Sequence, residues 1–171
     1  RLGGNGVANS TVYGGIAGDT IGEWVPRQGV FSDPDAASIE AAIGLCRMSL
    51  SKPPGDLGVI RTRLADIMWD DVGIIRDAAS LERATGDLAT LETDLDGIGV
   101  DGSNLAFNLT WHDWMNLKNL ILVSRAIAAA ACARDDSRGA HFRADYSETG
   151  NLETLAFTRV RLKDGEIETT T

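Results

Sequence analysis

The first five residues, Arg1-Leu2-Gly3-Gly4-Asn5, are the part of this sequence best suited to chemistry. Glycines ahead of a helix let backbone N–H groups approach a ligand closely, and a helix N-terminus favours negative charge. Arg1 adds a guanidinium that can clamp a carboxylate or phosphate through two parallel hydrogen bonds. The segment therefore reads as an anion site. It is not a dinucleotide-binding fingerprint, because the glycine spacing differs and no strand precedes it. A flexible N-terminus is the competing reading and, on these residues alone, the plainer one.

A second polar cluster lies between Ser137 and Tyr146, where Arg138, His141, Arg143 and Asp145 stand close in sequence. They offer charge but no nucleophile–base–orienter order. Metal chemistry is not indicated: His112 and His141 are isolated, and Cys46 and Cys132 are too far apart for a zinc or redox motif. Both cysteines have apolar, helical neighbours and are expected to be buried free thiols rather than a disulfide. His112 reads as a cap or packing residue. Trp69, Trp111 and Trp114 read as core or interdomain contacts rather than stacking platforms.

The elements that must position these residues are mostly helical. A first helix is expected through Val7–Tyr13 and on to about Trp24, before Pro26; Gly14, Gly15, Gly18 and Gly22 weaken it by roughly 1 kcal/mol each against Ala. Small residues on one helix usually mean that another backbone packs closely against it. Asp33-Pro34 predicts a second helix, Asp as N-cap and Pro at the first position, running to Leu50 ahead of Pro53-Pro54. Ile60, Leu64, Ile67, Met68, Val72 and Ile75 predict a third. Asp77 then caps a fourth, along which Leu81, Ala84, Leu88, Leu91, Leu95 and Ile98 repeat by three and four until Gly97, Gly99 and Gly102 end it. Thr110 with Asp113 suggests a capping box opening a fifth helix to about Asp136, apolar almost all round and so the expected buried centre. Asp164-Gly165 between Phe157–Leu162 and Ile167–Thr169 predicts a tight β-hairpin, which should dock on the bundle or on a part outside this chain.

The chain has 171 residues and a net charge of −9. That is enough length for one core, and the acidic balance argues against nucleic acid, whose phosphates require Lys and Arg. The acidic residues are spread out and read as a solvated surface. No apolar run approaches the roughly 20 residues that span a bilayer; Ser124 and Arg125 break the richest stretch, Leu120 to Ala133. The chain opens on Arg1 and a glycine-rich polar stretch, so no signal peptide is expected, and the missing initiator Met suggests a fragment or a processed chain.

Four segments, in order, resemble one known family. Arg1-Leu2-Gly3-Gly4-Asn5 followed by Tyr13-Gly14 is similar to the R-L-G-(G/S/A)-N-(S/A)-hydrophobic…(F/Y)-G segment of the succinate dehydrogenase, fumarate reductase and L-aspartate oxidase flavoproteins. Leu64–Arg76, containing Met68-Trp69 and Val72-Gly73-Ile74-Ile75-Arg76, resembles the family's "MW…VGI.R" bundle helix. Asp77–Leu81 resembles the cap of the next helix, and Ala133–Tyr146 resembles "AR.ESRGAH.R.D(Y/F)".

The resemblance implies a mostly α fold: an N-terminal flavin-contacting helical segment, an antiparallel three-helix bundle (spectrin-repeat-like) and a small C-terminal β-hairpin. The implied domains are 1–52, tail of the FAD-binding domain and linker helix; 53–146, the helical bundle; and 147–171, an extension with the hairpin. It implies that Arg1 binds a carboxylate of a dicarboxylate substrate. Asn5, Gly6 and Val7 would meet the pyrimidine end of FAD with backbone N–H groups, where reduced flavin carries negative charge. Gly6 departs from the usual Ser or Ala, which keeps a backbone contact but loses a hydroxyl. The Ser137–Tyr146 cluster would tie the bundle to the flavin domain by hydrogen bonds and ion pairs. No catalytic residue and no metal ligand falls in this chain, so alone it should neither bind FAD tightly nor turn over.

The implied activity is hydride transfer between FAD and succinate, fumarate or a similar dicarboxylate. The implied partners are an upstream FAD-binding domain and an iron–sulfur subunit, without nucleic acid and without direct membrane insertion. The implied location is the cytoplasm, or the inner face of the cytoplasmic membrane through a partner subunit. L-aspartate oxidase is the alternative within the family, although the Gly139–Arg143 wording leans towards the dehydrogenase and reductase branch. A non-catalytic helical docking module is the alternative outside it.

Overall fold

The structure is a computed structural model and describes residues 5–28, 32–102, 104–154 and 156–170. Among these the chain forms five α-helices and one two-stranded sheet: α1 (Asn5–Trp24), α2 (Ala36–Arg47), α3 (Leu57–Asp70), α4 (Ala78–Gly97), α5 (Leu109–Cys132), β1 (Arg159–Lys163) and β2 (Glu166–Thr170). Two compact units divide it, Arg1–Ala42 and Ile43–Thr171.

In the first unit, α1 ends at Trp24 ahead of Pro26, as its sequence predicts, and none of its residues is buried. A Cβ added at Gly14, Gly15, Gly18 or Gly22 would meet nothing within 4 Å. The second helix starts later than Asp33-Pro34 suggests. Asp35 is the residue that closes its first turn, accepting from Ala37 N at 3.1 Å and Ser38 Oγ at 2.5 Å, so Pro34 stays ahead of the helix.

The second unit holds the core. The stripe along α4 behaves as its period demands: Leu81, Ala84, Leu88, Leu91 and Leu95 are fully buried. Complete burial of a leucine side chain is worth roughly 1.5–3 kcal/mol, so this one face is a large share of the core. Asp77 begins α4 with a capping box, its carboxylate accepting from Ser80 N at 2.8 Å while Ser80 Oγ accepts from Asp77 N at 3.1 Å. Asp56 caps α3 by accepting from Gly58 N at 2.8 Å.

Ion pairs fix the helix directions. Arg63 midway along α3 meets Asp94 near the end of α4 at 2.6 Å, while Asp71 beyond α3 meets Arg83 early in α4 at 2.6 Å. Lys118 in α5 meets Asp96 late in α4 at 2.7 Å, while Arg125 further along α5 pairs with Glu92, earlier in α4. Each consecutive pair is therefore antiparallel, and the three helices form the expected bundle.

Three expectations for the bundle helices need correction. The third helix does not carry its apolar face to Ile75: it stops at Asp70, and Ile74 and Ile75 are exposed. Gly73 explains the stop, since any Cβ there would overlap the Trp69 carbonyl. The fifth helix is capped by Asn108, not by Thr110 with Asp113, and ends at Cys132 rather than Asp136. Asn108 Oδ1 accepts from Trp111 N at 2.9 Å and Nδ2 donates to Asp101 O at 2.8 Å; Asp113 turns instead to Arg61, 3.4 Å away. Nor is α5 buried all round. It buries Trp114, Leu117, Ile121, Ser124, Ala128 and Ala131 in the bundle with α3 and α4, while Leu120, Val123 and Ile127 are exposed. By length and composition alone α5 could cross a bilayer, more than its longest apolar run suggests. Its packed face, however, belongs to the bundle core.

The cysteines are unpaired, as expected, but both are exposed rather than buried. The hairpin forms where Asp-Gly predicts it, with φ of 52° at Asp164 and 85° at Gly165, the two left-handed residues that a tight primed turn requires. Both strands pack on α5.

Candidate functional site

The first predicted site lies at the start of α1. Arg1 falls outside the described residues. Asn5, Gly6 and Val7 form the first turn of α1 and are exposed. N–H groups in a helix's first turn have no intrahelical acceptor, so these three donors are available to a ligand. No acidic side chain lies in that turn to compete for them.

The second site is the Ser137–Tyr146 cluster, and here the structure brings the residues together. Gly139 takes a left-handed φ of 64° in a turn where Arg138 N donates to His141 O at 2.9 Å and His141 N returns a bond of 3.1 Å to Arg138 O. The turn sends Arg143 inward, and only 2% of that residue remains exposed. Its Nε and Nη2 hold Asp145 through two bonds of 2.7 and 2.6 Å. Its Nη1 donates to the carbonyls of Ala131, Cys132 and Arg134 at 3.2, 3.3 and 3.1 Å. The guanidinium also stands 4.9 Å from the centre of the Tyr146 ring. Asp145 in turn accepts from Ala78 N, in the first turn of α4, at 2.9 Å, and Ala144 N donates to Arg76 O at 2.7 Å.

Arg143 and Asp145 thus bind the end of α5 to the start of α4. The pairing with Asp145 raises the Arg143 pKa, and the bond from Arg143 holds the Asp145 carboxyl far below the usual carboxylate range. Neither side chain is free to act as an acid or base. Within this chain the pair is a structural tie.

His141 is also buried, at 8% exposure. Its Nδ1 lies 3.0 Å from Arg76 Nη1, and Arg76 Nε donates to Val72 O at 3.0 Å. Burial first, and then the charges of Arg134 and Arg76, push the His141 pKa down, with Asp136 opposing. Burial and Arg134 likewise lower that of Arg76. Arg76, Arg134 and Asp136 were not singled out in sequence. The signal for Arg76 was its place at the end of the Val72–Arg76 motif, where an arginine follows an apolar run and has no helical face to occupy.

The tryptophans divide. Trp114 is core, its Nε1 donating to Leu95 O at 3.3 Å and Ile98 O at 3.1 Å; Trp111 Nε1 reaches Cys46 O at 2.7 Å. Trp69 is 79% exposed and lines a cavity with Ile74, Ile75 and Phe142. His112 is exposed beside Trp111, ring centres 5.9 Å apart, and its N–H bonds Asn108 O at 3.2 Å within the first turn of α5.

With this geometry in hand, the sequence profile of the family described as fumarate reductase flavoprotein C-term matches residues 61–171. The chain is 33% identical to an uncharacterized FAD-dependent oxidoreductase of Methanocaldococcus jannaschii, a match covering 87% of this chain and 26% of that one. It is 32% identical to the fumarate reductase flavoprotein subunit of Haemophilus influenzae, over 92% of this chain and 27% of that one. Among solved structures it superposes on the Mycobacterium smegmatis Sdh1 complex in the apo form with a TM-score of 0.70 and 30% identity, covering 84% of this chain and 25% of that one. The chain therefore spans about a quarter of the length of the relatives it matches. It belongs to the succinate dehydrogenase and fumarate reductase flavoprotein family, of which it is the C-terminal piece.

Proposed function

We propose that this member of the family is the C-terminal part of an FAD-dependent oxidoreductase that interconverts succinate and fumarate, or a closely similar dicarboxylate pair. The observation that carries the reading is α1: a twenty-residue helix with no buried residue, an uncovered run of glycines and, at its start, three N–H groups without an intrahelical acceptor. An isolated helix of this composition is marginal in water, so its sequence makes sense as one wall of a larger cofactor domain.

In this reading FAD, when bound, accepts or gives the hydride. The residues of this chain do the rest by position. Asn5, Gly6 and Val7 present backbone N–H groups and the positive end of α1 to the flavin's pyrimidine edge, and Gly6 lets the ring come close. Arg1 clamps one substrate carboxylate with two parallel bonds and so fixes the carbon that exchanges hydride. The bundle's exposed Trp69, Ile74, Ile75 and Phe142 form an apolar patch suited to docking on the upstream FAD-binding domain. An iron–sulfur subunit is the proposed electron partner, which would hold the assembly at the inner face of the cytoplasmic membrane.

The test is to express the complete gene product, measure bound flavin, and follow dye-coupled oxidation of succinate and of L-aspartate and reduction of fumarate. Flavin with dicarboxylate turnover is expected, and Arg1→Gln should raise the KM about 10–100-fold at unchanged flavin content, the loss of a charge-assisted contact. Turnover of aspartate alone would move the protein to the oxidase branch. A product without flavin would leave a helical docking module instead.

A further inference from the structure

We infer that a cavity between the end of α5 and the segment before β1 is a binding site for one oxyanion, a carboxylate or a phosphate. It is lined by Arg76, Arg134, Arg138 and His141, together with Ile127 and Ala130 of α5 and Phe157.

Three features of the side chains point to an anion. The first is a donor without an acceptor. Arg76 Nη1 can only donate, so the 3.0 Å contact makes His141 Nδ1 the acceptor and leaves the proton of the neutral ring on Nε2. That Nε2 is buried and has no hydrogen-bond partner among the described residues. A buried N–H left unpaired costs about 1–3 kcal/mol, which an incoming acceptor would recover. The second is unbalanced charge. Arg134 and Arg138 share one carboxylate, that of Asp136, at 2.7 and 3.0 Å, and Arg76 has no acidic partner among the described residues. Arg138 Nη1 faces Asp136 as an ion pair without the alignment of a hydrogen bond. Three guanidiniums around one carboxylate, beside a neutral histidine, leave an excess of two positive charges. The third is composition. Every polar side chain in that cluster except Asp136 offers hydrogens, so an ammonium is disfavoured while an oxygen anion satisfies His141 and the arginines together. This basic pocket stands in a chain whose net charge is −9, so its cations are not part of a general basic surface.

The lining belongs to the second unit alone, and the inference does not depend on the proposed activity. Two sources share the chemistry: a carboxylate carried by other protein outside this chain, or a free ion such as phosphate or a small carboxylate. His141 is the natural reporter, since the chain has only two histidines and a His112→Gln variant leaves one ring signal.

The experiment titrates the 171-residue chain with sodium phosphate and, separately, with sodium acetate at constant ionic strength, following the His141 ring by NMR. Saturable movement of the His141 signals is expected, together with a rise in its titration midpoint. Arg134→Gln and Arg138→Gln should each weaken the response about tenfold, while Arg161→Gln on the exposed hairpin should leave it unchanged. The same titration on the complete gene product separates the sources. A His141 midpoint already raised, with no further response, identifies a protein carboxylate; a continued response identifies a free ion. A His141 signal that ignores both ions in the short chain and keeps its low midpoint in the complete protein overturns the inference. So does a response that survives both arginine substitutions at full strength.

Discussion

The helices α1 and α4 have the same length, twenty residues, and opposite relations to the rest of the protein. The α4 helix lays five side chains into the core at complete burial and begins with a two-sided cap. In α1 the large apolar residues Val7, Tyr13, Ile16 and Ile21 are all more than half exposed. The contrast teaches that amphipathic periodicity belongs to helices whose partners are near in sequence. The helix α1, proposed above as one wall of a cofactor domain, carries glycines and scattered apolar residues instead, with no stripe that its own unit buries.

Mutations can break that contrast. The largest effect is expected from Arg143→Ala, which strips a buried guanidinium from three carbonyls and a carboxylate; loss of about 3–5 kcal/mol is expected from urea unfolding of this chain. If the loss is near zero, the junction is not the tie that the geometry describes. Next, Leu88→Ala in the α4 stripe should cost about 2–5 kcal/mol, whereas Ile16→Ala in α1 should stay within about 0.5 kcal/mol. Equal losses at the two positions would erase the distinction between the helices.

The smallest effect is a pH dependence. His141 has a folded pKa below its ordinary value, so the folded protein binds fewer protons than the unfolded chain just below pH 6.5. Stability should therefore fall as pH drops from 7 through that window, and His141→Gln should flatten the slope. Repeating the urea titrations between pH 7.5 and 5 tests the sign, and a wild-type chain that gains stability over His141→Gln on acidification contradicts it. The Asp145 carboxylate, also depressed, keeps its contribution above the ordinary carboxylate range and loses it only in stronger acid, so the two effects do not overlap.

Much of the bundle was legible because its cues are local. The three-and-four spacing from Leu81 to Leu95, Asp77 as a cap and Asp164-Gly165 as a turn each depend on a few adjacent residues. What failed depends on neighbours distant in sequence. The face of α3 was extended to Ile75 because periodicity alone does not register that Gly73 must pass under the Trp69 carbonyl. The fifth helix looked central because its composition is apolar, yet burial is decided by what packs around it. The cysteines were misplaced for the same reason.

At the candidate sites, the roles of Asn5, Gly6 and Val7 rest on family likeness, while the polar cluster was legible as a cluster but not as a junction. Arg143 looked reactive. Its burial became intelligible only with the carbonyls of α5 around it, although Asp145 two residues on was the clue that its charge was already spoken for.

That junction also has a direction. The carbonyl end of one helix and the amide end of its antiparallel neighbour are opposite electrical poles, and Arg143 faces the negative pole while Asp145 faces the positive one. The pair is therefore a polarised connector rather than a reversible clasp. Exchanging the two residues would preserve an ion pair in name, yet turn each charge towards the pole that repels it.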